Sequence, residues 1–347
     1  GDNIMTVKQL VNKLGLPRLI IILFVLILIL ASSILGMNTP YYLGASLTRF
    51  GMHAILVLAM VPPLVAGVGL NFSIPICIVA GLFGGMLSME WGLTGFAGVF
   101  TAMAIGGVLG ALIGYGYCLL LNRIKGSEMM IGTYAGYSVV SFMCMIWLAL
   151  PVTNEAIRWT QGTGVRTITV LDDFYAKVLD NFLSFQIGSM TVPTGLLLVV
   201  AFFCFLVWLL LRSKTGMMMK AVGESPTFAR SVGVNVNRVR CLSMALSGGL
   251  AAVGIVVYSQ SYQFYQFYNA PLNMAFAEVA AILIGGATHK KASVSNVIVG
   301  TLLFQGLLTF ALPVTNQILP DSSISEIVRI VVSNGIILYA LTKAGDE

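Results

Sequence analysis

The stretch Arg212–Arg240, RSKTGMMMKAVGESPTFARSVGVNVNRVR, is a long polar interruption in an otherwise apolar chain. It carries one carboxylate, Glu224, and six of the nineteen lysines and arginines of the chain: Arg212, Lys214, Lys220, Arg230, Arg238 and Arg240. Lysines and arginines near the ends of membrane-spanning helices resist translocation across the membrane. The stretch therefore predicts a loop on the cytoplasmic side.

The middle of this loop predicts a short helix over 226–232. Ser225 is a favourable N-cap, and Pro226 suits the first helical position because the missing N–H is not needed there. Gly233 can adopt the left-handed conformation that ends a helix. Two turns of helix are unstable alone in water, so the segment needs a surface to pack on.

Phe228 and Val232 are four residues apart and share one face of this helix. Two interpretations follow. An apolar knob surrounded by cations suits docking into a partner protein. The alternative is a helix that lies on the membrane surface, with its cations on anionic lipid headgroups.

Composition places the chain in a membrane. Of 347 residues, 58% are hydrophobic and 9% are charged, whereas soluble domains carry roughly 25% charged residues. The net charge of +6 follows from the cytoplasmic bias of cations and does not indicate nucleic-acid binding. The five cysteines are scattered, with no disulfide or metal-ligand spacing. The sequence contains no nucleotide-binding P-loop, no G-x-S-x-G and no catalytic metal motif, so we expect no enzyme.

The hydrophobic pattern predicts an all-α polytopic membrane protein with about ten transmembrane helices and both termini in the cytoplasm. We expect one transmembrane domain over 1–347, with a cytoplasmic N-terminal segment at 1–17, an outside loop at 37–50, an extracytoplasmic region at 151–192 with a short helix near 172–184, and the cytoplasmic loop at 212–240. This orientation puts fourteen lysines and arginines inside and five outside. The predicted spans are 19–35, 52–69, 72–90, 95–121, 129–150, 193–211, 241–259, 273–288, 293–312 and 326–342.

Two polar interruptions predict broken helices, one in each half of the chain. GVGLNFSIP, at 67–75, places Asn71 and Ser73 at membrane depth, and GGATHKKASVSN occupies 285–296. Irregular backbone at such depth is tolerated where it is buried in protein or lines a wet cavity, and paired breaks are typical of transporters. The glycines of 95–121 favour close helix packing.

Charged residues within the spans are candidates for function. Glu278 lies in an apolar span, where a carboxylate costs a few kcal/mol unless it is paired, protonated or hydrated. Glu326 and Arg329 are one turn apart, and Arg329 is also a candidate partner of Glu278. Either they form a structural ion pair or they line a polar pathway. The two histidines, His53 and His289, are far apart in sequence and predict no cluster.

The aromatic residues of 258–268 have two interpretations. Aromatic side chains at the end of a span are commonly an interfacial belt. The alternative is a surface on which a ligand ring stacks. The six residues are Tyr258, Tyr262, Phe264, Tyr265, Phe267 and Tyr268.

The run AVGESPTFARSVGVNVNRVRCLSMALSGGLAAVGI resembles the cytoplasmic coupling loop of permease subunits of bacterial ABC importers for simple sugars, nucleosides and branched-chain amino acids. Gly223, Gly233, Asn235, Val236 and Arg238 match that loop. The segment AEVAAILIGGATHKKASVSNVIVGTLLF is similar to a later segment of the family; its matching residues are Glu278, Ala280, Ala281, Gly285, Gly286, Gly300 and Thr301. GVGLNFSIP stands in the place of G-I-D-L-S-V-G, with Asn71 instead of the aspartate.

The resemblance implies an ABC importer permease in the bacterial cytoplasmic membrane, with no catalytic residue, cofactor or metal of its own. The implied partners are a cytoplasmic ATPase that holds ATP and magnesium, an extracytoplasmic solute-binding protein, a second permease that is identical or different, and membrane lipid, but no nucleic acid. A simple sugar is the first choice of solute and a nucleoside the second. The implied ATPase-coupling residues are Gly223, Glu224, Ser225, Pro226, Phe228, Arg230, Val232 and Gly233. The candidate pathway residues are Asn71, Phe72, Ser73, Glu278, Gly285, Gly286 and Arg329.

Two other classes of function remain open at this point. One is a secondary transporter that uses Glu278 as a proton or sodium site, and the other is a membrane scaffold without a polar cavity. A capped helix presented to the cytoplasm argues against both, because neither function has a use for it.

Overall fold

The computed structural model describes residues 16–123, 128–288 and 291–318, and also 326–327, 330–331, 334–335 and 338. Most of these residues are helical, which confirms an all-α polytopic membrane protein. The helices are α1 (Leu16–Ile34), α2 (Thr39–Leu58), α3 (Val61–Val65), α4 (Ile74–Glu90), α5 (Gly95–Leu121), α6 (Glu128–Ala149), α7 (Val178–Asn181), α8 (Thr194–Arg212), α9 (Lys214–Glu224), α10 (Pro226–Ser231), α11 (Val236–Tyr262), α12 (Ala270–Ile284) and α13 (Val294–Ile318). The short strands are β1 (Ile168–Val170), β2 (Phe185–Ile187), β3 (Met190–Val192) and β4 (Phe264–Gln266).

Five helices of the described residues are long and apolar enough to cross a membrane: α5, α6, α8, α11 and α13. Three shorter apolar helices, α1, α4 and α12, accompany them. Eight predicted spans coincide with these helices to within a few residues. The tenth span, 326–342, lies mostly outside the described residues, as do the two ends of the chain. The count of ten and the side of the termini therefore stay predictions.

The start of α2 contradicts the sequence analysis. Residues 37–50 were expected to form a loop, but α2 begins at Thr39 and is continuous to Leu58. The side chain of Asn38 accepts a hydrogen bond from the Tyr41 amide at 3.3 Å, and Pro40 lies in the first turn. These residues favour a helix start, because the asparagine side chain accepts from one unpaired backbone N–H and proline has no N–H to leave unpaired.

Glycines bring α4, α5 and α11 into close contact, as the sequence predicted. A Cβ added to Gly110 would lie 2.4 Å from the carbonyl oxygen of Gly248, and one added to Gly248 would lie 2.2 Å from that of Gly110. One turn earlier on the same face of α5, a Cβ on Gly106 would meet the Cα of Gly81 at 2.9 Å. Backbones at this separation admit no side chain. These three helices therefore form the rigid centre of the bundle.

The region 151–192 contains less helix than expected. Only the four-residue α7 is helical within the predicted 172–184, and turns precede it. Asp180 fixes α7 to the end of α11, because its Oδ1 accepts hydrogen bonds from Ser261 at 2.7 Å and Gln260 at 3.1 Å. Burial raises the pKa of the Asp180 carboxyl above its ordinary value of 3.8, although these hydrogen bonds act in the opposite direction.

Part of the aromatic segment lies in the core, so the belt interpretation is wrong there. Strand β4 pairs antiparallel with β1 and turns Tyr265 and Phe267 inwards, where both are fully buried. Tyr265 packs against Gly85 and accepts a hydrogen bond from the hydroxyl of Tyr175 at 3.2 Å. A strand pair of three residues cannot be seen in the hydrophobic pattern, because its burial depends on β1, about a hundred residues earlier.

Candidate coupling and pathway site

The polar stretch that follows α8 folds into two short helices. The chain turns sharply at Ser213, whose side chain accepts a hydrogen bond from the Gly216 amide at 3.3 Å and so caps α9. A Cβ on Gly216 would lie 2.2 Å from the carbonyl oxygen of Leu210, so the turn requires glycine at this place. The sequence analysis predicted only the second helix, α10.

Helix α10 has the ends that the sequence predicted. The Ser225 side chain accepts a hydrogen bond from the Phe228 amide at 3.3 Å, and Pro226 is the first helical residue. Gly233 has a φ of +86°. Its amide donates to the Arg230 carbonyl, and the amide of Val234 donates to the Ala229 carbonyl. This pair of bonds is a Schellman motif, which satisfies the last carbonyls of the helix.

One face of α10 holds it to the protein and an adjacent face is open. Ala229 is fully buried, whereas Phe228 is 61% exposed and Val232 is 58% exposed. The charged side chains of Glu224 and Arg230 are also exposed. An exposed apolar pair on a capped, anchored helix is a feature of binding surfaces.

The end of α9 touches the first helix break at a pair of glycines. A Cβ on Gly223 would lie 2.2 Å from the carbonyl oxygen of Val65, and a Cβ on Gly67 would lie 2.8 Å from the Cα of Gly223. Gly67 also has a φ of +66°. A displacement of α9 and α10 therefore acts directly on the backbone of the break.

Three residues of the break and of α11 form a hydrogen-bonded group, which we call the inner network: Asn71, Ser73 and Ser247. The amide nitrogen of Asn71 donates to Ser247 at 2.7 Å, and its oxygen accepts from the Ser73 amide at 2.9 Å and the Ser73 hydroxyl at 2.5 Å. All three residues are buried. Residues 66–73 are non-helical, so the predicted break is present and its polar side chains are satisfied.

A second polar group, the outer cluster, comprises His53, Tyr258 and Glu278. Nδ1 of His53 and Oε1 of Glu278 are 2.6 Å apart, and the His53 ring meets the Tyr258 ring edge to face at 5.2 Å. The Glu278 side chain is 0% exposed and that of His53 is 16% exposed. Oε2 of Glu278 is buried and has no hydrogen-bond partner among the described residues.

Helix α11 contributes one residue to each polar group, Ser247 to the inner network and Tyr258 to the outer cluster. Ser247 and Tyr258 are eleven residues apart, which is about 17 Å along a helix and within roughly 20° of the same face. The inner network is nearer to α10, because α11 follows α10 directly. The outer cluster lies one turn before the far end of α11.

The other described residues of the predicted pathway make no hydrogen bond within either polar group. Phe72 is buried, and its ring is 6.1 Å from that of Phe276 on α12. Gly285 and Gly286 form the turn after α12, where Asn296 and Arg18 both donate to the Gly285 carbonyl. A Cβ on Gly285 would lie 1.9 Å from the Asn296 carbonyl oxygen, so this glycine serves helix packing.

One predicted pathway residue, Arg329, lies outside the described part of the chain, and so does His289, for which no site was predicted. The expected pairing of Arg329 with Glu278 therefore stays untested, while the observed partner of Glu278 is His53. The sequence analysis missed His53, because 225 residues separate it from Glu278. Its position in an apolar helix was the available signal.

These features define the chain as a polytopic helical membrane protein with a break at 66–73. The two short helices α9 and α10 follow α8, and α9 contacts that break. The sequence model of the family described as branched-chain amino acid transport system / permease component matches residues 42–341. The chain belongs to this family, which confirms the resemblance. It is a multi-pass protein of the bacterial cytoplasmic membrane.

Three curated relatives show how the chain compares with individual proteins. It is 27% identical to the nucleoside ABC transporter permease protein NupB of Lactococcus lactis over 68% of this chain and 62% of that one. It is 26% identical to the galactofuranose transporter permease protein YtfT of Escherichia coli over 61% and 62%. It is 24% identical to the fructose import permease protein FruG of Bifidobacterium longum over 77% and 73%. The match thus spans less than two thirds of the first two relatives. No solved structure matches the chain.

Proposed function

We propose that this chain is the membrane-spanning permease subunit of an ATP-binding-cassette importer. In this role it passes a small neutral polar solute by alternating access and hydrolyses nothing itself. A simple sugar is the first choice and a nucleoside the second, in keeping with the solutes in the names of the relatives. Both alternatives from other classes of function lack such support.

The observation that carries the proposal is the capped helix α10 with its exposed pair Phe228 and Val232. A cytoplasmic ATPase provides the groove that covers this pair. Residues Gly223, Glu224, Ser225, Pro226, Arg230 and Gly233 shape and flank the same helix. ATP and magnesium bind to the ATPase, so the chain needs no cofactor of its own.

The contact between Gly223 and Gly67 connects the coupling helix to the break, and so lets movement of the ATPase reach the membrane-spanning part. Closure of the ATPase dimer on ATP moves α10 and α9, and the glycine contact passes the movement to the break that holds the inner network. The break then shifts relative to α11. Because the backbones touch without side chains between them, little of the movement is absorbed by rotamer changes.

The orientation of the molecule in the membrane and the positions of its other partners follow from the cytoplasmic α10. With α10 in the cytoplasm, the far end of α11 and the outer cluster face outwards, towards an extracytoplasmic solute-binding protein. A second permease, identical or different, completes the pathway, and lipid surrounds the pair. The chain has no role for nucleic acid.

A co-purification experiment tests this function. Membranes of the native host are solubilised in mild detergent, and the tagged chain is isolated as wild type, Phe228→Asp and Phe228→Leu. We expect an ATPase with wild type and with Phe228→Leu, which keeps the apolar knob. Phe228→Asp loses it, because a charge does not enter an apolar groove.

Energy dependence separates the importer from an ion-coupled carrier that uses Glu278. Uptake by an importer is abolished by vanadate or ATP depletion and survives a protonophore over short times. The reverse pattern would establish the carrier. Equal amounts of each variant in the membrane fraction are the control for folding.

A further inference from the structure

The outer cluster has an open hydrogen-bond acceptor in a place where such groups are normally satisfied. Oε1 of Glu278 lies 2.6 Å from His53, while Oε2 is buried and without a partner among the described residues. Buried polar atoms almost always have a partner, since an unmade hydrogen bond in an apolar region is costly. The inner network, by contrast, satisfies both ends of its Asn71 amide.

Aromatic rings lead from the end of α11 to this acceptor. The Tyr258 ring is 5.2 Å from both His53 and Tyr262, and the Tyr262 ring is 4.5 Å from Phe264. Tyr262 is 42% exposed, whereas Tyr258 is half-buried. The rings thus form a continuous row from the exposed Tyr262 to His53, which contacts the carboxylate of Glu278.

A positive charge lies at the exposed side of the outer cluster, which is the entrance to it. Arg49 is exposed and lies four residues before His53, on the same face of α2. A guanidinium is very costly in lipid, so this face opens to water or to another protein. A fixed cation at the entrance disfavours cationic solutes.

We propose that the outer cluster, together with Tyr262 and Phe264, is a binding subsite for a ring-shaped neutral solute that carries O–H or N–H donors. Oε2 of Glu278 accepts a hydrogen bond from the solute, and Tyr258 and Tyr262 pack on the face of its ring. His53 holds the carboxylate in position through Oε1. The inference rests on the proposed function, and it adds the chemistry by which the permease recognises its solute.

Two sources supply this chemistry, a cyclic sugar and a nucleoside. Both present a ring face for stacking and several hydroxyl donors, and a nucleoside adds a planar base. An open-chain polyol has the donors but lacks the ring. The probes below distinguish the three.

The test is uptake in the native host after deletion of the gene and restoration with wild type or a variant. The probes are radiolabelled adenosine, uridine, ribose, fructose and the open-chain polyol sorbitol. The variants are Tyr262→Ala, Glu278→Gln and the control Tyr115→Ala. Tyr115 is 43% exposed and lies on α5, outside both polar groups, so it matches Tyr262 in type and exposure.

We expect wild type to restore uptake of at least one ring-shaped probe and to leave sorbitol untransported. Tyr262→Ala raises KM about three- to tenfold with Vmax nearly unchanged, as the loss of one stacking contact requires. Glu278→Gln raises KM about tenfold or more, because an amide donor now faces the donors of the solute. Tyr115→Ala keeps the wild-type KM.

Two results would overturn the subsite. One is a wild-type KM in Tyr262→Ala, which stands at the surface and is not needed for folding. The other is uptake of sorbitol with the same KM as the rings. If wild type restores no uptake of any probe, the ring-solute subsite is overturned; the proposed function fails with it only where no ATPase co-purifies with wild type. These outcomes are distinguishable because the first two require functional wild-type uptake.

Discussion

The inner network and the outer cluster lie on the same face of α11 and differ in how their polar atoms are used. Asn71, Ser73 and Ser247 are uncharged, buried and mutually hydrogen-bonded. Glu278 is a carboxyl group that contacts His53 through one oxygen, while its other oxygen has no partner among the described residues. A closed network rigidifies the structure it joins, whereas an open acceptor has capacity for a ligand.

The two groups also differ in what moves them. The inner network belongs to the break that Gly67 ties to Gly223, and so to α10. The outer cluster joins α2, α11 and α12 at the opposite end of α11. We propose that the inner network takes part in energy coupling and that the outer cluster recognises the solute.

The largest expected effect is on the glycine contact. Gly223→Ala places a Cβ 2.2 Å from the Val65 carbonyl oxygen and forces the backbones apart. We expect uptake to fall to the level of the deletion strain while the ATPase still co-purifies. Gly116→Ala is the matched control, since nothing lies within 4 Å of a Cβ there. Normal uptake in Gly223→Ala would show that the contact between Gly223 and the break has no role in coupling.

The next largest effect is on the free energy of unfolding, which we compare for one variant in the outer cluster and one in the inner network. His53→Ala leaves both oxygens of the buried Glu278 without a partner among the described residues, which lowers the free energy of unfolding by about 3–5 kcal/mol. Ser247→Ala leaves only the amide nitrogen of Asn71 unsatisfied, at a cost of about 1–3 kcal/mol. SDS titration of the purified variants in mixed micelles measures both. A larger loss in Ser247→Ala than in His53→Ala would reverse our comparison of the two groups.

The smallest effect is the pH dependence of stability that comes from Asp180, which is bonded to the end of α11 near the outer cluster. Because burial raises the pKa of Asp180, the fold holds its proton more tightly than the unfolded chain does. This contribution to stability is fully present below pH 3.8 and is lost as the pH rises through the raised pKa. We therefore expect the melting temperature of wild type, relative to Asp180→Asn, to fall as the pH increases. A difference that is constant with pH would show that Asp180 has no raised pKa.

Local signals explain what the sequence predicted well. The ends of α10 depend on Ser225, Pro226 and Gly233, which act within one turn of the helix. The break at 66–73 was visible because glycine and asparagine interrupt an apolar run. The bounds of α5 agree with its predicted span because turn residues flank it on both sides.

Contacts between distant parts of the chain explain what the sequence did not predict. Nothing local to His53 or to Glu278 indicates that α2 and α12 place them together. The sequence does not predict α9, because its two lysines and Gly216 are typical of a loop and its helix depends on packing against the rest of the bundle. The start of α2 is different, because asparagine and proline are common both in loops and at helix starts, and Asn38 and Pro40 here form a cap and a first turn.

Site-specific crosslinking at α10 tests the central claim most directly. The five native cysteines are buried or half-buried, so Phe228→Cys adds one well-exposed thiol. Phe182→Cys, near α7 at the opposite end of the bundle, is the matched control, because Phe182 is also exposed. Both are treated with a bismaleimide in native membranes, beside wild type. We predict an adduct with an ABC ATPase from Phe228→Cys alone, and its yield changes when ATP is added. An ATPase adduct from Phe182→Cys, or from neither variant, would contradict the assignment of α10 as the coupling helix.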